Sequence, residues 1–554
     1  MGFPALPQDI MLLICQELGG RQEFATLYNC SLTSRRLAGI AIEQLYSTIG
    51  TYIEDKHQAT CLWRSIILSS LGATLYPYCA YIRALSLSGL IECLEDIRND
   101  QPLRDFFFGG LMQDFLGTQG GDKGVRAHAS RQQIQSRCVD SITKYIKNLA
   151  DNNGSSVALT HLEATTLPRE ILPVWIRRLA TLKVLQLQDG SILDGQAANV
   201  IAECCPRFAE LICFHCSSDT AAEDMAAFFS ALRPNSLRRF EMLSRNTLGD
   251  ATLSALSSHA KSLRALNLRS LPSPLIKKLG LLSECTALES LIIEKEATAT
   301  SEVDALSEEE LAQVAAWIGK CKALRELNFA YVRDAMPILR HVLREPDIRL
   351  ELLAIHEYVA DFEFEEAARE EAAREAWRAL GRQDKLTSLT IASQTSSPDG
   401  LMLELYPELA DSICQLSNLT SLNLMQAWVT APELVRLVAA LPRLEALSFG
   451  GGLFTSSILQ PLSTLRNLVS LSINAATAFR FEHLVDFAQS LDPVGNSGIR
   501  VDLLYQWSDY VLTAEEEEWL DTYFQKTLKG RIVISYPNEP FDPQGFDVGS
   551  DDSS

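Results

Sequence analysis

Basic charge is scarce in this chain. Across 554 residues, 49 Lys and Arg face 70 Asp and Glu, a formal net charge of -21. A field of that sign repels phosphate backbones and anionic lipid, and no local basic patch offsets it, so neither nucleic acid nor a membrane surface is expected as a partner. Long apolar runs are missing too. The nearest approach, residues 65–82, holds no charge but contains Gly72, Pro77 and Cys79 between Arg64 and Arg83, and reads as a helix leading into a strand. The opening segment ALPQDIMLLICQEL (Ala5 to Leu18) has no basic region ahead of its apolar stretch, and Asp9 and Glu17 interrupt it, which argues against a secretion signal. The thirteen cysteines are odd in number and lack the close, even spacing of a disulfide framework, so a reducing compartment, cytoplasmic or nuclear, is expected.

Signatures of catalysis are absent as well. GTQGGDKG (Gly117 to Gly124) lacks the Gly-Lys-Ser/Thr ending of a phosphate loop, and Asp122 would repel the anion. HEYVA at His356 has no second histidine for zinc, and no Gly-x-Ser-x-Gly elbow occurs. CFHC (Cys213 to Cys216), close to Cys204 and Cys205, has a zinc-like spacing. The repeat described next assigns those thiols to buried positions, so no metal, cofactor or catalytic residue is expected.

What the sequence does contain is a repeat. SLRALNL (Ser262 to Leu268), TLKVLQL (Thr181 to Leu187), ALRELNF (Ala323 to Phe329), NLTSLNL (Asn418 to Leu424), RLEALSF (Arg443 to Phe449) and NLVSLSI (Asn467 to Ile473) all read apolar-x-x-apolar-x-apolar. This is the strand signature of leucine-rich repeats, in which alternate side chains of a short parallel strand enter a shared core. Weaker copies start at Ile82, Leu159, Phe208, Leu237, Leu288, Leu350 and Leu386, with terminal copies near Ile499 and Ile532. Helical patterns lie between them, as in TLGDATLSALSSHAK (Thr247 to Lys261), where Leu248, Leu253 and Leu256 share a face and Asp250 is placed to cap. The predicted fold is α/β: a leucine-rich-repeat solenoid with parallel strands inside and helices outside, needing a cap at each end.

The phase of the repeat explains the cysteines. Cys79, Cys205, Cys285 and Cys321 lie three residues ahead of a first apolar position, where other repeats place Leu179, Leu416, Leu441 and Leu465. The position where the consensus allows Asn or Cys holds Cys216 once, but Gly190, Arg245, Leu271, Glu296 and Val332 elsewhere, so no side-chain ladder is expected between turns. Residues 90–156 form an insertion within the solenoid of residues 81–536. DFEFEEAAREEAAREAWRAL (Asp361 to Leu380) reads as a charged helix with a solvated face and pairs Glu365/Arg369 and Glu370/Arg374, and residues 537–554 read as a disordered acidic tail.

Residues 1–49 precede the repeats and form a separate helical unit, joined to them by a linking helix within 50–80. In its first helix Ile10, Leu13, Ile14 and Leu18 make one stripe, behind Pro7 in a first turn and Asp9 where the helix dipole favours an anion. LPQDIMLLICQEL, followed by FATLYNCSLTSRRLAGIAIEQLYSTI (Phe24 to Ile49), resembles an F-box, matching at Leu6, Pro7, Ile10, Leu13, Ile14, Leu18, Leu27, Ser34, Arg35, Arg36, Leu37, Leu45 and Tyr46. Gln8-Asp9 departs from the usual pattern, where the acid stands one place away. With the repeats, the chain is similar to fungal-type F-box proteins with leucine-rich repeats. That resemblance implies a substrate-recognition adaptor of an SCF-type cullin-RING ubiquitin ligase, with no chemistry of its own. Leu6, Pro7, Ile10, Leu13, Ile14, Leu18, Arg36 and Leu37 would meet the Skp-type adaptor, while the repeats hold a protein target. On the residues alone, the same stripe could instead pack on the first repeat, leaving a non-ligase binding scaffold or enzyme inhibitor.

Residues between the apolar positions of each strand face the concave surface. They include Phe214, Arg239, Glu241, Arg269, Glu294, Glu326, Asn328, His356, Asn423, Met425 and Asn474, with Tyr331 and Trp428 on adjoining segments. Their mixture of charge, amide and aromatic groups suits a protein surface.

Overall fold

Three helices open the chain: α1 (Gln8–Gly20), α2 (Phe24–Thr33) and α3 (Arg35–Thr48). The structure is a computed structural model and describes residues 6–21, 23–48, 55–116, 130–153, 157–165, 167–296, 305–356, 366–392, 407–476, 479–505 and 511–536. The glycine-rich stretch 117–129, the tail 537–554, the side chain of Trp428 and the pairs involving Glu365 and Glu370 lie outside the described residues. The chain divides into two units, Met1–Ala265 and Leu266–Ser554.

In the first unit, the helix α1 starts behind Pro7 with Asp9 in its first turn, and Ser34 accepts the Leu37 N–H at the head of α3. Met11 and Cys15 from α1, Leu27 from α2, and Leu37, Ile40 and Ala41 from α3 form a buried core, with Leu6, Leu12, Leu18, Cys30 and Leu45 packed against it. The linking helix α4 (Lys56–Ser70) is capped by Asp55, whose side chain accepts the Gln58 N–H at 2.7 Å. Tyr46 ties the bundle to it, donating or accepting a hydrogen bond with Ser65 at 2.8 Å. The Tyr46 ring also stacks on Tyr78 with centroids 4.5 Å apart.

Strands then follow: β1 (Ala84–Ser86), β2 (His161–Ala164), β3 (Val184–Asp189), β4 (Glu210–His215) and β5 (Arg239–Met242). The second unit holds β6 (Ala265–Leu271, beginning at the division), β7 (Ser290–Lys295), β8 (Glu326–Ala330), β9 (Leu352–His356) and β10 (Ser388–Ala392). After these come β11 (Ser421–Val429), β12 (Ala446–Phe454), β13 (Ser470–Ala476), β14 (Arg500–Tyr505) and β15 (Arg531–Ser535). Within each unit the strands lie side by side in chain order. Register comes from the apolar alternation. Leu162, Leu185, Leu211 and Phe240 align across the first unit. Leu291, Leu327, Leu353, Leu389, Leu422, Leu447, Leu471, Val501 and Ile532 align across the second. A slip by one residue in any strand would turn this row out of the core. These are leucine-rich-repeat strands, each returned by a helix or a short helical turn.

The structure corrects several details. Ile532 pairs with Val501, so it is the second apolar position of the last repeat and not the first. The last two turns are tightened: Gly498 sits at φ +85°, and a Cβ at Gly530 would strike the Ile499 carbonyl. Asp250 does not cap its helix, whose N-cap is Gly249. Asn246, and not Arg245, bridges to Cys216, because that repeat carries an extra residue.

Two buried amides do tie neighbouring repeats together, three residues ahead of the first apolar position and not at the consensus asparagine, in repeats separated by others that carry Leu416, Leu441 and Leu465 there. Gln383 and Asn496 are fully buried there. Gln383 accepts the Leu350 N–H at 2.9 Å and donates to the Ile348 carbonyl at 3.4 Å. The Asn496 amide nitrogen donates to the Leu465 and Leu468 carbonyls, both at 2.9 Å. Cys205 at the same position points its Sγ at the Leu179 carbonyl, 3.4 Å away. Side chains at this point reach the loop of the preceding repeat, so polar residues there satisfy carbonyls that would otherwise be buried unpaired.

The insertion between β1 and β2 contributes helices Leu87–Asn99, Gln101–Phe107 and Arg131–Asn153. The helix Glu366–Leu380 is less solvated than its charge suggests: Ala372, Ala376, Trp377 and Leu380 are buried. Its Arg374 and Arg378 pair with Glu408 of the next repeat, at 3.2 and 3.1 Å.

Candidate functional site: an apolar helix edge and a polar recess

Two surfaces carry the residues singled out by the sequence. The first is α1, which is apolar on two sides. Met11 and Cys15 face the bundle core, whereas Ile10, Leu13 and Ile14 are 42%, 59% and 39% exposed. Pro7 and Arg36 are exposed as well, Leu6 and Leu18 are half-buried against the core, and Leu37 is inside it. The helix α2 adds Tyr28 and Leu32, 57% and 67% exposed, which the sequence reading passed over. An isolated exposed Leu is ordinary; three on successive turns of one helix, with the opposite face already packed, are a surface.

The second surface follows from strand alternation, which keeps Leu and Ile inward and turns intervening residues outward. In the first unit, Phe214 is 48% exposed with its ring edge-on to His215, and the Arg239 Nε donates to Glu241 at 2.7 Å. In the second unit, Arg269, Glu294, Asn328, His356, Asn423 and Met425, spread over 157 positions of sequence, line one recess of about 470 Å³ together with Tyr331. Glu326 is engaged separately, accepting from Ser290 at 2.6 Å. Asn474 is half-buried on β13.

Electrostatics inside the recess are balanced. Arg269 Nε stands 3.9 Å from the Glu294 carboxylate and 3.3 Å from the Asn267 oxygen. Burial pushes the Glu294 carboxyl up, against the pull of Arg269. Burial, and then the Arg269 charge, push His356 down and favour its neutral form. Tyr331 is held at φ +57°, a left-handed conformation that costs a bulky residue about 1–3 kcal/mol. Its N–H donates to the His356 carbonyl at 3.0 Å, which fixes it at the recess wall.

The CFHC thiols are core residues: Cys213 and Cys216 are fully buried, with burial driving Cys213 well up and Cys216 to about 12. Among the described residues, no three His, Cys, Asp or Glu side chains gather as a metal ion requires. Among them, too, no helix is long and apolar enough to cross a membrane.

No family model matches the sequence. No curated protein matches it either. Among solved structures, the chain is similar to an internalin from Listeria monocytogenes, at 14% identity over 72% of this chain and 95% of that one, with a TM-score of 0.37. It is also similar to the structure of the Rad7 and Elc1 complex in yeast, at 18% identity over 71% of this chain and 94% of that one, with a TM-score of 0.40. The repeat fold is read from the strand register above, independently of both.

Proposed function

We propose that this protein is a non-catalytic substrate adaptor of an SCF-type cullin-RING ubiquitin ligase: α1 and its bundle dock on a Skp-type adaptor protein, and the repeats hold a protein target. The observation that carries this reading is the double-sided apolar character of α1, whose Ile10, Leu13 and Ile14 stay in solvent after the bundle core is complete. Helical partners cover such edges with their own apolar faces. The F-box resemblance of residues 6–49 includes this helix. Leu6 packs against the bundle core, so substituting it would test folding as much as docking. The discriminating variant is Ile10→Asp with Leu13→Asp. Co-expression of the full chain with a Skp-type adaptor should yield a complex that this variant loses while its melting is unchanged.

A second reading has one observation in its favour: Tyr46 fastens the bundle to α4 and Tyr78, as a cap on a binding scaffold would be fastened. Under that reading no adaptor co-purifies with the wild-type chain.

A further inference from the structure

In the first unit, the insertion between β1 and β2 joins an apolar wall to a group of arginines. Its three helices, Leu87–Asn99, Gln101–Phe107 and Arg131–Asn153, enclose with their ends a cavity of about 420 Å³. Small-molecule sites occupy about 300–1,000 Å³. Leu94, Ile97, Phe108 and Ile134 line it and are buried. Arg98, Arg104 and Arg131 line it as well, and no acid does among the described residues. Arg98 is exposed and Arg104 half-buried, which puts both guanidiniums at the mouth.

Charge at this mouth is left over, in a chain where acids are in excess. Arg131 is engaged with Glu95. Arg98 and Arg104 have no side-chain partner among the described residues. The acids nearest them in sequence are committed elsewhere: Asp96 pairs with Lys56 at 2.7 Å, Asp100 accepts the Leu103 N–H at 3.0 Å, and Asp105 accepts from Gln101 at 2.7 Å. A guanidinium fork matches a planar carboxylate with two parallel hydrogen bonds. Glu95, three residues before Arg98 on the same helix, opposes a second negative charge, so a monoanion suits the mouth better than a phosphate monoester.

We propose that this cavity binds a free alkyl carboxylate of medium chain length. Its head group meets the guanidiniums of Arg98 and Arg104 at the mouth, and its chain lies on Leu94, Ile97, Phe108 and Ile134. Burying the chain removes apolar surface from water on both partners, and the carboxylate answers the two cations. No residue of α1 or of the concave strand faces takes part, so the site stands whether or not the protein is a ligase adaptor.

Isothermal titration calorimetry tests it on the full chain, with octanoate, decanoate, decanol, decylamine and decyl phosphate as probes, each below its micelle or solubility limit. Decanoate should bind one to one and about tenfold more tightly than octanoate, the effect of taking two more methylenes out of water. It should exceed decanol by about tenfold or more through charge-assisted hydrogen bonds, and exceed decylamine and decyl phosphate as well. Arg98→Gln with Arg104→Gln should lower decanoate to the level of decanol. Leu116→Trp, at a half-buried position on the cavity wall, should weaken every probe by filling the space. Thermal melts establish that these variants fold. Ile10→Asp with Leu13→Asp should bind decanoate as the wild type does, which separates the cavity from the apolar edge of α1. No decanoate binding, no preference for decanoate over the other decyl probes, undiminished binding in the double-glutamine variant, or loss of binding in the α1 variant would each overturn the proposal.

Discussion

Replacing Ile10, Leu13 and Ile14 together by serine removes the apolar edge of α1 and leaves its inward face untouched. Full burial of a Leu or Ile side chain stabilises by about 1.5–3 kcal/mol. The three exposures, 42%, 59% and 39%, leave rather more than one full side chain's worth of surface for a partner to cover. Docking would therefore gain about 2–4 kcal/mol from this edge, and the triple variant should weaken adaptor binding by about 30- to 700-fold. Monomer stability should change little, because none of the three belongs to the bundle core. Met11, one residue from Ile10 and 4% exposed, is the internal control. Met11→Ala should lower stability by about 2–5 kcal/mol through the cavity it leaves. Interferometry with a purified Skp-type adaptor and urea unfolding measure the two quantities. The reasoning is refuted if the serine variant binds as tightly as wild type, or if it unfolds as readily as Met11→Ala.

Other consequences are local. Asn496→Leu leaves the Leu465 and Leu468 carbonyls without their shared donor, and should cost about 2–4 kcal/mol, seen as faster amide exchange confined to the neighbouring repeats. His259 accepts the Leu237 N–H on Nδ1 and faces the Phe229 carbonyl with Nε2, and burial holds it below the usual value of 6.5. The unfolded chain therefore takes up a proton near pH 6.5 that the folded chain refuses, so stability is lost as pH falls below that point. His161, His341 and His356 shift in the same direction. His259→Gln should flatten, without abolishing, the decline measured by denaturant titration between about pH 6.5 and 5. Thiol labelling should be biphasic: Cys30, Cys61, Cys204 and Cys414 are partly accessible, whereas buried thiols such as Cys213 and Cys216 should react only on unfolding. Prompt labelling of Cys213 would contradict its place in the core.

The repeat was legible because its signal is local. One strand's inward leucines are set by a period of two, and every copy states that period again, so even weak copies such as the one at Leu237 lie beside a strand. The buried amides of Gln383 and Asn496 were hidden, since a buried amide and an exposed one look alike in sequence when neither periodicity nor apolarity marks them. Asn246 was hidden for another reason: a single extra residue moved it into the place assigned to Arg245.

By itself, the sequence determined the strand-and-helix alternation, the inward row of leucines and the helical character of the first fifty residues, because each follows from side-chain spacing within a few turns of chain. Two things were decided only in three dimensions. Apolar residues occur on both sides of α1, and nothing in a 3.6-residue period says which stripe finds neighbours; packing against α2 and α3 took Met11 and Cys15 and left Ile10, Leu13 and Ile14 outside. Arg269 and Met425 share one recess because parallel register stacks like positions of successive repeats, whatever the length of the loops between them.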